Sequence, residues 1–245
     1  MTLCRPLATA ALALHATVLP VAAVAQANVV PTVPAATSQS DPLISRKTAT
    51  TAGLLFAAAL LGDRSFRTEA QEHRGTTTNS VAGFGNVFGE WRYVVPALSA
   101  GYLAGEIAGS SGLKRVMVRA GAAAAIAGGS STILKHAIGR SRPEVAGDPD
   151  QFRPFSSWNS FPSGHTAVAF AIATAVAEET GDGWTDAALY GAATLTAMAR
   201  VNDDRHWTSD VLIGGLLGHL SGKWVSRKLG PVRVVPGGVV GKIEF

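Results

Sequence analysis

The sequence predicts an all-α fold of six helices, with a flexible N-terminal segment before them and a small hairpin after them. Three observations carry that expectation. Apolar segments recur at 48–61, 93–107, 116–138, 166–178, 185–199 and 209–229. They are rich in Ala and Leu, which favour helix over strand. Polar or glycine-bearing breaks divide them, and a chain of 245 residues can enclose one sizeable core, so a single domain over 46–245 is expected.

The N-terminus carries Arg5, an apolar run over 7–24, and the small residues Ala23 and Ala25, which together read as a secretory signal over 1–25 with an A-x-A cleavage site, the alternative being an uncleaved membrane anchor. The single cysteine, Cys4, falls inside it, so the exported product would hold no disulfide and no thiolate metal site. Residues 26–45 are Pro, Thr, Ser, Ala and Val without periodicity, the composition of a linker. Between the first two apolar segments, 62–90 is polar and contains Gly-Thr-Thr-Thr-Asn, so loop with room for one short helix is expected there. The third segment contains Arg119 and ends near Gly139. In the tail, Pro236-Gly237-Gly238 between two β-branched runs predicts the hairpin over 232–245.

Composition is 47% hydrophobic and 16% charged, with a mean hydropathy of +0.22, between ordinary soluble and polytopic membrane proteins. Small residues dominate the helices and permit close backbone approach in a soluble bundle or between membrane helices, so composition leaves both open. The formal net charge is only +4, and no Lys and Arg run is interleaved with aromatics. A nucleic-acid partner is therefore not expected.

Three short motifs carry chemistry. The first is Lys135-x6-Arg142-Pro143 at the end of the third helix. As the residue before a proline, Arg142 is pushed to extended backbone angles, so its guanidinium and the Lys135 ammonium approach one point from different directions. Taken alone, two cations near a helix C-terminus also suit the helix dipole. The second is Pro162-Ser163-Gly164-His165-Thr166, where a loop enters the fourth helix. The first turn offers free backbone N–H groups, Gly164 allows an anion to come close, and Ser163 adds a hydroxyl. The bland alternative is an N-cap serine followed by an ordinary histidine. The third runs Arg200-x5-His206-x3-Asp210 across the junction of the fifth and sixth helices. If the sixth helix starts near Trp207, His206 and Asp210 lie one turn apart, and the carboxylate can hold one imidazole nitrogen while the other attacks.

Together these motifs resemble those of the type 2 phosphatidic acid phosphatase superfamily, which includes bacterial acid phosphatases, lipid phosphate phosphatases and vanadium haloperoxidases. The likeness covers Lys135 to Asp210 directly, and the helix order outside it fits that family's six-helix core. Ala199 stands where the family usually has serine, a position peripheral to the chemistry. The resemblance implies His206 as a nucleophile forming a phosphohistidine, Asp210 as its supporting carboxylate and His165 as general acid and base. It implies Lys135, Arg142, Ser163, Gly164 and Arg200 around the equatorial phosphate oxygens, with no metal or other cofactor required. Pro-Ser-Gly-His-Thr resembles the phosphatase branch, and the chain is short for a haloperoxidase; a non-catalytic phosphate- or lipid-binding module would need neither His206 nor Asp210. The expected substrate is a phosphorylated small molecule or lipid.

Outside the motifs, Asp203, Asp204 and Arg205 read as a solvated loop, His136 and His219 as packed or surface residues, and Trp158 and Trp207 as neighbours of the site. Six spanning helices after a cleaved signal would put the site in the cytoplasm, whereas membrane members of the family face the other way. The expectation is an exported protein, periplasmic or membrane-associated, with a periplasm-facing site.

Overall fold

A computed structural model describes residues 43–229, 233–235 and 238–240. The signal segment, Cys4, the linker up to residue 42 and the ends of the tail lie outside the described residues. Among the described residues eight helices follow in order: α1 (Arg46–Glu72), α2 (Thr76–Asn86), α3 (Trp91–Ile107), α4 (Ser111–Ile138), α5 (Pro143–Ala146), α6 (Gly164–Thr180), α7 (Gly183–Asn202) and α8 (Thr208–Lys228). A 3-10 turn, Val87–Gly89, joins α2 to α3. Strands β1 (Arg233–Val235) and β2 (Gly238–Val240) pair antiparallel, with Arg233 opposite Val240. All six expected helices are present; α2 and the single-turn α5 raise the count to eight.

The stretch 62–90 is not the loop that its polarity suggested. Helix α1 runs through it to Glu72 because its polar residues find partners at helical spacing. Asp63 accepts from Arg140 and Ser209, Arg67 donates twice to Asp204, and Gln71 donates to the carbonyls of Val201 and Asn202. These contacts override weak local propensity. Helix α2 follows because it docks on α7: Thr196 donates to the Gly85 carbonyl at 2.7 Å, and no side chain fits at Gly85 against the Leu195 backbone.

Helix α6 is the centre of the bundle, packed between α4, α7 and α8. Ala120, Ala123 and Ala127 of α4 meet Ala167, Ala171 and Ala175 of α6 in one fully buried cluster. Across α6, the α8 glycines 214, 218 and 222 repeat every four residues, and a Cβ at any of them would strike α6 or the residue that enters it. Small side chains thus bring the axes together, and the entry to α6 is pinned against the first turns of α8.

Gly139 stops α4 in the left-handed conformation (φ 60°) and donates to Lys135 O at 2.9 Å. The chain then doubles back, with Arg153 N donating to Gly139 O and Ser141 N to Gln151 O. This turn brings the end of α4, the start of α6, the end of α7 and the start of α8 to one end of the bundle. On the flanks, Leu103, Ile107, Val118, Ile133 and Met198 are largely exposed. Among the described residues α4 is the one helix long and apolar enough to cross a membrane.

Candidate active site

The cationic residues of the first and third motifs come from three directions. Lys135, in the last turn of α4, donates to the carbonyls of Asn159 (2.5 Å) and Ser160 (3.3 Å). Arg142 Nε donates to Asn159 Oδ1 at 2.8 Å, so one loop segment holds both cations. Arg142 has the extended backbone expected before proline (φ −76°, ψ 151°). From α7, Arg200 NH1 donates to Asn86 Oδ1 at 2.9 Å, while its Nε is buried without a hydrogen-bond partner. A buried charged donor left open in this way is a ready contact for an anion. Burial lowers the pKa of the Arg142 and Arg200 guanidinium groups, and the positive charge of Arg142 lowers that of Arg200 further.

Ser163 and Gly164 open α6 beside these cations. Ser163 occupies the N-cap position, yet its hydroxyl makes no cap bond and pairs instead with Thr166 Oγ1 at 2.9 Å. Its amide donates to the Asp210 carbonyl at 3.0 Å. A Cβ on Gly164 would lie 3.3 Å from Ser131 Oγ and 3.7 Å from Lys135 Cε, so this residue faces the lysine stem closely.

His206 is buried, 3% exposed, and precedes α8 instead of lying on it. Trp207 is the N-cap residue and Asp210 accepts from its amide at 2.9 Å, the carboxylate half of a capping box. The same carboxylate accepts from Arg140 NH1 (2.7 Å) and Ser160 Oγ (2.5 Å). His206 Nδ1 stands 3.6 Å from Asp210 Oδ2, within ion-pair range but beyond a hydrogen bond, and has no other partner. Burial pushes the His206 imidazole down to about 3; Lys135 and Arg200 push in the same direction and Asp210 opposes them. The ring is therefore neutral, as a nitrogen nucleophile must be. Burial works to raise the Asp210 carboxyl, but His206, Arg140 and Ser160 together hold it below its ordinary value.

His165, in the first turn of α6, meets a carboxylate that sequence reasoning missed: its Nε2 lies 3.1 Å from Glu90 Oε2. Burial lowers the His165 pKa, Arg200 and Lys135 lower it further, and Glu90 opposes them. Arg140 was also missed, though it sits inside the first motif. It is 1% exposed and donates to Asp63 Oδ2, Asp210 Oδ1 and Ser209 Oγ, each at 2.7 Å, and to Pro149 O at 2.8 Å. No pattern in the sequence links Asp63 or Glu90 to partners far along the chain. The 203–205 loop is pinned, not simply solvated: Asp203 accepts from Asn86, Asp204 from Arg67, and Arg205 donates to Glu144. Trp207 is buried and donates from Nε1 to Ser141 O, while Trp158 stacks under Arg153. His136 Nδ1 donates to the Thr132 carbonyl within its own helix, and His219 packs with Thr174 and Tyr190.

Every sequence-predicted site residue thus lies at one end of the bundle: Lys135 and Arg142 across a shared loop, Ser163, Gly164 and His165 at one helix start, and Arg200, His206 and Asp210 around the α7–α8 junction. Among the described residues no group of three or more His, Cys, Asp or Glu gathers in a way that would hold a metal ion.

Residues 116–231 match the sequence model of the PAP2 superfamily. Over 107 residues, 42% of this chain, the sequence is 39% identical to a lipid A 1-phosphatase of Porphyromonas gingivalis; the matched part spans 22% of that protein. The fold is similar to that of a transmembrane PAP2 type phosphatidylglycerolphosphate phosphatase from Bacillus subtilis, with a TM-score of 0.55 and 20% identity over 72% of this chain and 92% of the other. A crystal structure of LpxE from Aquifex aeolicus matches with a TM-score of 0.49, 23% identity, and 65% and 91% coverage.

Proposed function

We propose, from the match of residues 116–231 to the PAP2 superfamily, that this chain is a metal-independent lipid phosphatase working through a phosphohistidine. One observation carries the reading: a buried neutral imidazole, His206, stands beside the buried carboxylate of Asp210 and within the field of Lys135 and Arg200. An anion bound there would be met by Lys135, Arg142, Arg200, the Ser163 hydroxyl and the Gly164 amide. Those fixed donors would stabilise the charge that phosphoryl transfer spreads over the equatorial oxygens.

His206 attacks phosphorus through Nε2; the N–P bond forms as the bond to the leaving oxygen breaks, and His165 gives that oxygen its proton. Asp210 stabilises the imidazolium character that develops on His206, and the 3.6 Å separation closes to a hydrogen bond as that charge appears. His165, now neutral, takes a proton from water, whose oxygen displaces His206 from phosphorus and releases inorganic phosphate. Each proton and bond is thereby returned, and the chain's own residues suffice for every step.

A lipid substrate is favoured over a small ester by the exposed apolar flanks of the bundle. Soluble monomers rarely expose apolar side chains in such number, whereas a bilayer accommodates them, with α4 crossing and the catalytic end outside the hydrocarbon layer. The Porphyromonas gingivalis relative is a lipid A 1-phosphatase, and a lipid phosphate is the substrate class proposed here. The catalytic end is proposed to lie at a membrane surface, where a lipid phosphate headgroup can reach it. The test is release of inorganic phosphate from lipid phosphate in mixed micelles by wild type and His206→Ala, with a water-soluble ester and vanadate-supported bromide oxidation run beside it. Turnover of the lipid phosphate that disappears in His206→Ala is expected. Bromide oxidation without phosphate release would overturn the reading.

A further inference from the structure

The turn at residues 86–90 lies outside the stretch that matches the superfamily, yet it touches the catalytic end at three places. Asn86 Oδ1 accepts from Arg200 NH1 at 2.9 Å, and its amide nitrogen donates to Asp203 Oδ2 at 2.8 Å. Gly89 packs so closely on the backbone of His165 that a Cβ there would overlap the His165 carbonyl. Glu90, at the N-cap position of α3, then faces the imidazole. This is a built contact, unlike a chance pairing of two long surface side chains: backbone packing at Gly89 fixes the spacing, and the next residue supplies the carboxylate.

We propose that Glu90 is the positioning residue of His165, holding the ring by Nε2 and keeping it basic enough to carry the proton given to the leaving oxygen. The inference rests on His165 acting as the general acid and base. With Nε2 engaged by Glu90, the ring nitrogen left for the leaving oxygen and later for water is Nδ1, which no hydrogen bond engages among the described residues. The site would then contain two imidazole–carboxylate pairs of unlike character. His206 and Asp210 are both buried, which keeps the nucleophile neutral. His165 and Glu90 are each about one-third exposed at the side chain (31% and 33%), so this pair can exchange protons with water.

The groups facing His165 from each neighbouring element decide the sign. Lys135 comes from α4 and Arg200 from α7, and both disfavour the imidazolium, as burial does; α8 and the turn before it bring Asp210 and His206 to the same cradle. Glu90, from the turn before α3, is the carboxylate that raises the ring's basicity. It stays ionised, because His165, and less strongly Arg92, hold its carboxyl below the ordinary value. Removing the carboxylate charge therefore moves the His165 pKa down.

The test uses Glu90→Gln and Glu90→Asp in the full chain, with an aryl phosphate carrying a good leaving group and an alkyl phosphate carrying a poor one. For the alkyl ester, protonation by His165 limits the rate, and activity falls as pH rises through its pKa. Glu90→Gln should shift this alkaline limb down by about one pH unit, a tenfold change in the proton affinity of the ring, and should slow the alkyl ester about tenfold at neutral pH. For the aryl ester, where hydrolysis of the intermediate limits and neutral His165 is the base, the acid limb should move down while the plateau changes little. Glu90→Asp should recover part of both shifts. An equal loss on both esters with unmoved limbs would reduce Glu90 to a structural contact and overturn the proposal, as would unchanged profiles. If His165→Ala leaves the alkaline limb of the alkyl ester and the acid limb of the aryl ester in place, the acid–base reading beneath the proposal fails, and the two failures are thereby told apart.

Discussion

Replacing Arg140 with Met should damage both stability and catalysis, because this one side chain neutralises two carboxylates that water cannot reach. Asp63 and Asp210 are each 0% exposed, and Arg140 donates to both at 2.7 Å. Methionine fills similar space but leaves two buried charges without their cation. Breaking a buried ion pair from one side costs about 3–5 kcal/mol. The lower end is expected here, since Asp63 keeps the Ser209 amide and hydroxyl and Asp210 keeps Ser160 and the Trp207 amide. A domain with about 5–15 kcal/mol to lose remains mostly folded after a loss of about 3 kcal/mol. The remaining effect is electrostatic: without Arg140 the Asp210 carboxyl rises, so the acid limb of kcat should move to higher pH. Urea unfolding followed by tryptophan fluorescence in mild detergent measures the first effect, and a pH–rate profile the second. Asp63→Asn should restore part of the stability when added to Arg140→Met, because one uncompensated charge is removed. A variant within about 1 kcal/mol of wild type, with its acid limb in place, would refute the account of Arg140 as the shared cation of the site.

Three further outcomes follow from the same geometry. Arg142→Lys and Arg200→Lys should remain impaired in kcat as well as KM, since lysine keeps the charge but not the planar two-pronged contact; near-normal turnover in both would mean that charge alone matters. Gly214→Ala places a methyl group about 2.5 Å from the Ser163 carbonyl, so it should cost about 1–3 kcal/mol and reduce kcat by shifting the start of α6, whereas full activity would show that this seam tolerates movement. His206, with a folded pKa pushed down to about 3 against about 6.5 unfolded, contributes stability that is complete above pH ~6.5 and is lost as pH falls toward ~3, at about 1.4 kcal/mol per pH unit. In His206→Gln the acid-side loss between pH ~6 and ~4.5 should be shallower by that slope; an unchanged slope in urea unfolding would place the protonation elsewhere.

What the sequence made legible is what local chemistry encodes. Six Ala- and Leu-rich segments marked the six long helices, Gly139 marked the end of α4, and the three motifs marked the residues that gather at one end of the bundle. The misreadings have one physical origin, which is polar residues whose partners lie far away in sequence. The 62–90 stretch read as loop because residues such as Asp63 and Arg67 have no local use, yet both are satisfied by groups more than 70 positions away. Glu90 and Asp63 were invisible for that reason. Arg140 was passed over because its neighbours Lys135 and Arg142 fitted a phosphate cradle and it did not. The offset between His206 and Asp210 was partly foreseen: one turn apart is correct, but α8 begins after His206, and Asp210 is already engaged in capping it.

The central claim is that His206 carries the phosphoryl group in a covalent intermediate. Rapid acid quenching of the full chain mixed with a 32P-labelled phosphate ester, followed by peptide mapping, tests it most directly. Labelled protein should appear within the first turnover, its label lost in acid and kept in alkali as a phosphoramidate, on the peptide containing His206. It should be absent in His206→Ala and should accumulate in His165→Ala with a good leaving group, because hydrolysis of the intermediate has lost its base. Label that persists in His206→Ala, or that survives prolonged acid treatment as a serine or threonine ester would, contradicts the account.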